Sequence, residues 1–499
     1  MTVPEAIRAI ERPPNTVVIA YGKNMDRYAV KIRIGCDRIE GKKNPRPRTG
    51  PTIGHIVREN GRGEWRYVPN DGIMRIPDNE IDRKDWGNVA MCTMASADLL
   101  EDLKKVYSAD ESEQIYCAAV LRACYPGLKD SKLRERYLES FLSEIYPDVA
   151  LSKNAFGDLL DRVGKANLRM RRFMKRRLEV VEPSHHIIID GTLKKNRSTM
   201  NDFSEFSRKI GADYPMISVL YAFDLEQMEP IAMEVYPGNM TDARAFSDFV
   251  KKNGIDCGII VADKGFPISS AEDVFEASPD LHYLIPLKDN SSLIERYGMT
   301  EFDTVVEGYS HILGKKVRLD GTWLYSFRDT RRAAAEEKAY IEQNADGFDG
   351  WEYDRGRRSF GMIVFECDLD LEPDVVYKAY DCRWMIELMF RMNKFLEELD
   401  DTRVHSDYSI LASEFINFIS VIMTGRLFRI FDRNGLLDEH TYGETMDILR
   451  SAKKQKDENG GWSTIRVIEK NAKVLERLGL AVNPIVVKNP VGRPKKSKS

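Results

Sequence analysis

The sequence predicts an α/β protein in which a sheet-bearing middle lies between two helical regions. Three observations predict it. Short apolar runs closed by acids occur at His186–Asp190 and Gly258–Asp263, apolar residues recur at three- and four-residue spacing from Trp86 to about Val180, and a second helical pattern follows Lys394. The chain has 499 residues, 42% hydrophobic and 31% charged, which suits a globular protein and excludes collagenous and fully disordered classes. Its most apolar stretch, Phe415 to Phe431, is interrupted by Asn417, Ser420, Thr424, Gly425, Arg426 and Arg429, so no membrane span is expected. Glu5, Arg8, Glu11 and Arg12 leave no apolar core for a secretory signal, and a cytoplasmic location is expected. The seven cysteines form no C-x-x-C pair and none sits by histidine at zinc-ligand spacing, so reduced thiols and no structural zinc are expected. With 75 Lys and Arg against 79 Asp and Glu the chain is no polycation, and any nucleic-acid binding must come from local clusters.

Residues 1–85 mix β-like runs, Thr16 to Ala20 and Tyr28 to Ile34, with a basic, proline-containing turn from Lys42 to Arg48, and read as a small β-containing module. Residues 86–182 read as helical, with one helix from about Lys132 to Ile145 and another capped by Ser152 and ended by Gly164. From Arg162 to Arg177 there are eight Lys or Arg and no acid, with Leu168, Met170, Phe173 and Met174 interleaved. Such a stripe, with Arg169, Arg171 and Arg172 at its centre, can lie along a phosphate backbone, which makes this a candidate DNA-binding region. A solvated basic face has the same pattern, and a helix-turn-helix is not distinguished from a plain helical hairpin. Residues 183–400 carry strands at His186–Asp190, Pro215–Phe223 and Pro230–Tyr236, a helix from Thr241 to Lys252, strand Gly258–Asp263, a helix from Ser270 to Ala277 and strand His282–Leu287. That is an α/β sheet with acids at two strand ends, where ligand chemistry gathers in such sheets, although a lone Asp after an apolar run is often only a cap. The stretch 289–367 reads as a β-rich insertion, residues 401–485 as a helical region suited to packing or dimerisation, and 486–499 as a basic tail.

The most informative segment is Tyr380 to Lys394. At ~100° per residue, Tyr380, Arg383, Glu387, Arg391 and Lys394 share an arc of about 80° on one helix face. Nearly everything else there is apolar, including Trp384, Met385, Ile386, Leu388, Met389 and Phe390. A narrow polar stripe on an apolar helix points inward to a site, and a glutamate flanked by cations suits holding a metal ion and phosphates together. A buried ion-pair ladder, Arg383 with Glu387, is the structural alternative.

The spacing Tyr-x2-Arg-x3-Glu-x6-Lys, with Trp384 after Arg383 and Ile386 before Glu387, resembles bacterial insertion-sequence DDE transposases of the Tyr-Arg-Glu-Lys type. Ile189-Asp190-Gly191-Thr192 resembles that family's first catalytic block, and Val261-Ala262-Asp263-Lys264-Gly265-Phe266 its second. The resemblance implies a ribonuclease-H-like catalytic domain in which Asp190, Asp263 and Glu387 are catalytic and bind two Mg²⁺ ions, with Mn²⁺ able to substitute. It implies that Tyr380, Arg383, Arg391 and Lys394 contact phosphates, that the β-rich insertion touches DNA ends with Trp323 as a base-stacking candidate, and that the cytoplasmic protein is nucleoid-associated. Trp323 also fits a core role. The tail Pro490 to Lys498 resembles a minor-groove AT-hook with Arg493 at its centre. The expected function is metal-dependent cleavage of double-stranded DNA at the element's terminal inverted repeats and strand transfer into target DNA, by a homodimer assembled on DNA and without a membrane. Alternatives are a transposase-derived DNA-binding protein without mobility and a metal-dependent DNA nuclease.

Overall fold

The computed structural model describes residues 3–21, 27–37, 46–58, 64–69, 82–196, 198, 200–207, 214–240, 242–261, 272–381, 401–402, 404–457 and 460–485. Asp263, Arg383, Glu387, Arg391, Lys394, Arg493 and the cap residue Thr241 lie outside them, as do Lys42 and Lys43 of the basic turn. The chain forms two compact units, Met1–Arg83 with Gln455–Trp462, and Lys84–Lys454 with Ser463–Ser499.

In the first unit a short helix, α1 (Glu5–Arg8), precedes four strands, β1 (Thr16–Tyr21), β2 (Arg27–Asp37), β3 (Arg46–Arg58) and β4 (Trp65–Pro69). They pair antiparallel in the order β1-β2-β3-β4. Period-two alternation along β2 sends Tyr28 and Val30 into a core with Ile7, Ile53 and Ile56, which Ile32, Trp65 and Tyr67 flank. The opposite face of this sheet therefore carries Arg27, Lys31 and Arg33.

The second unit opens with a short strand, β5 (Arg83–Asp85), whose first residue belongs to the first unit, and continues with α2 (Gly87–Ala95), α3 (Ala97–Lys104), α4 (Ala109–Cys124), α5 (Leu133–Glu139), α6 (Leu142–Ile145), α7 (Lys153–Lys165) and α8 (Asn167–Leu178). The single helix expected from Lys132 to Ile145 is two, because Ser140 is extended (φ −98°, ψ 153°) and the Phe141 amide donates to Asp85 O at 2.8 Å. Next come β6 (His186–Asn196), β7 (Met216–Asp224), β8 (Glu229–Pro237), α9 (Asp242–Asn253), β9 (Cys257–Val261), α10 (Glu272–Ala277) and β10 (Asp280–Pro286). Three strands, a helix, a strand, a helix and a strand is the order the hydropathy pattern predicts, in a mixed α/β protein.

After α11 (Ser292–Arg296) the chain adds β11 (Thr304–Val305), β12 (Ile312–Arg318) and β13 (Trp323–Asp329), then α12 (Thr330–Gln343), α13 (Gly350–Gly356) and β14 (Met362–Cys367). The stretch between β13 and β14 is helical where the sequence reading was β-rich. Asp329 caps α12, its Oδ1 accepting from the Arg331 and Arg332 amides at 2.8 and 3.1 Å, and an Ala333-Ala334-Ala335 run follows. Asp349 caps the start of α13, its side chain accepting from the Trp351 and Glu352 amides. Residues 373–381 are helical (α14), and β15 (Asp401–Thr402), α15 (Asp407–Arg433), α16 (Tyr442–Ser451) and α17 (Glu469–Arg477) complete the unit's main elements.

One ten-stranded sheet runs β11-β12-β13-β14-β10-β9-β6-β7-β8, with β15 beside β6. β6, β7 and β8 are an antiparallel meander, whereas β9 is parallel to β6 and β10 parallel to β9. The strands from β11 to β14 thus continue the same sheet past β10, joined through the antiparallel pair β10–β14. By length and composition α15 is apolar enough to cross a membrane, but 89% of its most apolar window is buried within the fold. It is a central core helix, with Phe415 edge-on to Phe173 of α8 at 5.4 Å and Ile416, Phe418, Ile419 and Ile422 fully buried.

The basic helix α8 is held by acids distant in sequence. Arg169 pairs with Glu111 (3.3 Å), Arg171 with Glu234 (3.0 Å) and Arg176 with Asp102 (3.0 Å), while Arg177 reaches both Asp102 and Asp98. Arg162 and Lys165 also make ion pairs, and Arg172 and Lys175 are exposed. Burial alone would raise the Asp102 carboxyl, but hydrogen bonds from Lys105 and Arg176 and the charge of Arg177 outweigh it and hold the group below the ordinary carboxylate range.

Two measurements test this packing. A Cβ added at Gly164 of α7 would lie 1.9 Å from Tyr408 O, whereas one at Gly157 of the same helix meets nothing within 4 Å. Gly164→Ala should therefore lower the melting temperature, and Gly157→Ala should hold or raise it, by about 0.5–1 kcal/mol of helix propensity; equal effects would contradict the close α7–α15 approach. Because the folded-state pKa of Asp102 is depressed, its stabilising contribution is present above the unfolded pKa of ~3.9 and is lost as pH falls through the folded value. In urea unfolding series, the stability gap between wild type and Asp102→Asn should be full at neutral pH and close on acidification below about pH 4. A gap independent of pH would contradict the clamp.

Candidate functional site

The site is built on β6, which the sequence makes two-faced. Ile188, Asp190, Thr192, Lys194 and Asn196 share one face by alternation, and four of these five are polar. Asp190 is the fifth residue of an eleven-residue strand and not the strand end that an acid closing an apolar run predicts, because Gly191 to Lys195 continue the pairing with β7. The last β6 residue to pair with β9 is Ile188, opposite Val261. Asp190 therefore lies two residues beyond the end of its described parallel neighbour. Its side chain is half-buried, and Oδ1 accepts from the Gly191 amide at 2.8 Å.

On one side of Asp190 the face is covered by α15. Tyr221, paired with Asp190 across the ladder, stacks on Phe418 with ring centroids 6.5 Å apart and planes 22° apart. Four residues along β6, Lys194 Nζ bonds Glu414 Oε2 at 2.5 Å, with both side chains 2% exposed. Asn417 Nδ2 donates to the same Glu414 oxygen, and Arg122 Nη1 of α4 donates to Asn417 Oδ1 at 2.6 Å and to Ser413 O at 3.0 Å. Arg122 Nη2 reaches Asp130 at 2.9 Å. A buried ion pair is tolerable only when its remaining hydrogen-bonding capacity is met, and this network meets it. Between Asp190 and Lys194, the buried Thr192 Oγ1 has no hydrogen-bond partner among the described residues.

On the other side the face is covered by α14. The ladder register aligns Ile188, Val261, Leu284, Cys367 and Trp323 in one row across β6, β9, β10, β14 and β13. Two residues further along lies the row of Asp190, Pro286, Phe365 and Tyr325. Residues in one row point to one face, so Phe365 shares the face of Asp190 from three strand spacings away, roughly 14 Å. Tyr380 packs edge-on to Phe365 at 5.3 Å, Tyr377 to Phe327 at 5.3 Å, and Arg332 Nη1 donates to Tyr380 Oη at 3.3 Å. Asp381 is the last described residue of α14, and Asp401–Thr402 pair with Lys195 and Asn196 of β6.

The other expected residues are placed unevenly. Trp323 is half-buried against the main core, with Lys316 Nζ 4.7 Å and Arg318 Cζ 5.7 Å from its ring. Arg169 and Arg171 are engaged within the protein, the latter also donating to Lys252 O at 2.7 Å, and Arg172 is exposed. Asp263, Arg383, Glu387, Arg391, Lys394 and Arg493 lie outside the described residues.

A second cluster escaped the sequence reading. His185, Asp224 and Glu226, where β6 begins and β7 ends, bring donor atoms within 4.8 Å of one another. The cluster is hydrogen-bonded throughout: His185 Nδ1 to Asp224 Oδ2 at 2.8 Å, His186 Nδ1 to Glu226 Oε1 at 2.8 Å, the Gln227 amide to Asp224 Oδ1 and the His186 amide to Glu226 Oε2. Burial raises the Asp224 carboxyl, whereas the bonds from His186 overcome burial and lower that of Glu226. His185 precedes Asp190 by five residues, roughly 16 Å of strand, so the two places are distinct. The pair His185-His186 was the signal in sequence, but its acids lie 39 and 40 residues further on.

Residues 182–406 match the family model described as "Transposase DDE domain". No curated protein matches the chain. Among solved structures, a piggyBac transposase synaptic complex with hairpin DNA is similar at TM-score 0.38 and 12% identity, covering 76% of this chain and 81% of that one, a likeness too distant to carry function. The family match spans β6 to β15 and contains Asp190, and it supports a DDE transposase.

Proposed function

We propose that the chain is an insertion-sequence transposase of the Tyr-Arg-Glu-Lys type, cutting double-stranded DNA at its element's ends and joining them to target DNA. Asp190, Asp263 and Glu387 form its metal-binding triad on a ribonuclease-H-like core. The observation that carries the reading is the β6–β9 register. On β6 Asp190 follows Ile188, the partner of Val261, by two residues, and in the sequence Asp263 follows Val261 by two. The sheet order, an antiparallel meander β8-β7-β6 followed by parallel β9 and β10, supports the ribonuclease-H-like assignment.

Membership of the DDE family implies dependence on a divalent metal, and a half-buried carboxylate on a rigid strand is the donor a hard cation needs. Asp190, Asp263 and Glu387 would hold the ions, which would supply activation of water or a 3′-hydroxyl and charge stabilisation for an in-line phosphoryl transfer; Mg²⁺ is the proposed ion, with Mn²⁺ a substitute. The protein's own part is placement. Rigid β6, fixed by α15, holds Asp190, and Tyr380, seated on Phe365, stands with Arg383, Arg391 and Lys394 as the phosphate-contacting set. A homodimer pairing the two ends, Trp323 near the DNA, and an AT-hook at Arg493 complete the proposal.

The test is excision of a marked donor carrying the gene's flanking DNA. Wild type should excise, Asp190→Asn and Glu387→Gln should fall to background, and Glu226→Gln, in the second cluster, should excise like wild type. Addition of EDTA should stop excision and excess Mn²⁺ should restore it. Equal excision by wild type, Asp190→Asn and Glu387→Gln would overturn the triad, and DNA binding without excision would favour a transposase-derived binding protein.

A further inference from the structure

The proposed function places a metal ion at Asp190, and beside that carboxylate β6 buries a polar group that the packing leaves unmatched. Thr192 is 4% exposed, and its Oγ1 has no hydrogen-bond partner among the described residues. Burying a hydroxyl unpaired is unfavourable, and valine would fill the same space with the same branched shape and the same suitability for a strand. A threonine here therefore destabilises the fold taken by itself.

The surroundings narrow what the hydroxyl can serve. Across the ladder Thr192 stands in a row with Val219 of β7 and Val235 of β8, both buried and apolar. Along its own face of β6 its neighbours are Lys194 on one side and Asp190 on the other. The Lys194 ammonium is committed to Glu414 at 2.5 Å, within the buried network that Asn417 and Arg122 complete. In the other direction, Oδ1 of Asp190 accepts from the Gly191 amide at 2.8 Å, which draws the carboxylate along the strand toward Thr192. Two residues of strand are roughly 7 Å, too far for two short side chains to bond directly. One water with two hydrogen bonds of about 2.8 Å each spans that gap. A hard cation such as Mg²⁺ held by a carboxylate keeps several waters of its own, and each is a strong donor to a neutral oxygen.

We infer that Thr192 is a positioning residue of the metal site, its hydroxyl accepting a hydrogen bond from a water carried by the cation on Asp190. The inference rests on the proposed function for the ion at Asp190. The hydroxyl touches neither ion nor substrate; it fixes where one hydration water sits, and through that water how the ion is seated against β6.

The experiment is a Mn²⁺ titration of the full-length protein, with the free ion read by electron paramagnetic resonance, on wild type, Asp190→Asn, Thr192→Val and Thr192→Ser. Melting curves are taken without metal. Asp190→Asn should lose a bound ion. Thr192→Val should melt at or above wild type and keep the ion with about tenfold or more weaker affinity, as for other groups that orient metal ligands. Thr192→Ser, which keeps the hydroxyl, should bind like wild type. In excision of the marked donor, Thr192→Val should need a correspondingly higher Mn²⁺ concentration and recover when it is supplied. Unchanged affinity in Thr192→Val, with the ion still lost in Asp190→Asn, would overturn this inference and leave the transposase reading in place. Equal weakening in the valine and serine variants would overturn it too, because the branched shape and not the hydroxyl would then matter. A Thr192→Val protein melting well below wild type would overturn it by showing that the hydroxyl serves the fold. An ion retained by Asp190→Asn would overturn the proposed metal site and this inference together.

Discussion

A strand that carries Asp190, Thr192, Lys194 and Asn196 on one face cannot bury that face against an ordinary apolar helix, and the second unit is arranged around this constraint. The solution is α15, apolar over most of its surface but bearing Glu414 and Asn417 where β6 passes beneath it. The Lys194–Glu414 pair fixes the helix to the strand, Arg122 fixes the helix to α4, and the aromatic stack of Tyr221 and Phe418 closes the gap beside Asp190. Desolvating two charges costs more than their attraction returns unless the geometry and the remaining hydrogen bonds are good. What the pair contributes is a buried polar contact that joins α15 to β6 at Lys194. A carboxylate four residues along the same strand is thereby held in place.

Much of this was legible in the sequence because it rests on local periodicity. The run Ile187-Ile188-Ile189 and the apolar blocks at Met216–Phe223 and Gly258–Val261 are bounded by turns that make strands of them, and their order predicts the sheet. What was not legible depends on residues distant in sequence. Asp190 read as a strand end because an acid usually closes an apolar run, but Glu414, more than two hundred residues later, lets β6 go on burying polar side chains. Of the eight cations from Arg162 to Arg177, Arg162, Arg169, Arg171, Arg176 and Arg177 meet acids distant in sequence, which local patterning does not show. In the 330–359 stretch, local helix propensity and two aspartate caps outweighed the β-like context.

Several site residues that the sequence singled out, Glu387 among them, lie outside the described residues, so the structure bears on the site through its frame. That frame is specific. One sheet face carries Asp190 and is covered by α15 on one side and by Tyr377 and Tyr380 of α14 on the other. The His185–Asp224–Glu226 cluster offers metal-ligand chemistry as well, but its oxygens already accept hydrogen bonds from two histidines and two backbone amides that tie the β7–β8 turn to the start of β6.

These two places can be told apart directly. With Fe²⁺ replacing the native divalent ion, ascorbate and peroxide generate hydroxyl radicals at the bound metal that cut the nearby backbone, and mass spectrometry locates the cuts. The account predicts cuts beside Asp190 and Asp263, and near Glu387, suppressed by excess Mg²⁺. Cuts confined to His185 and the Asp224–Glu226 turn would place the metal at the wrong end of β6 and contradict it.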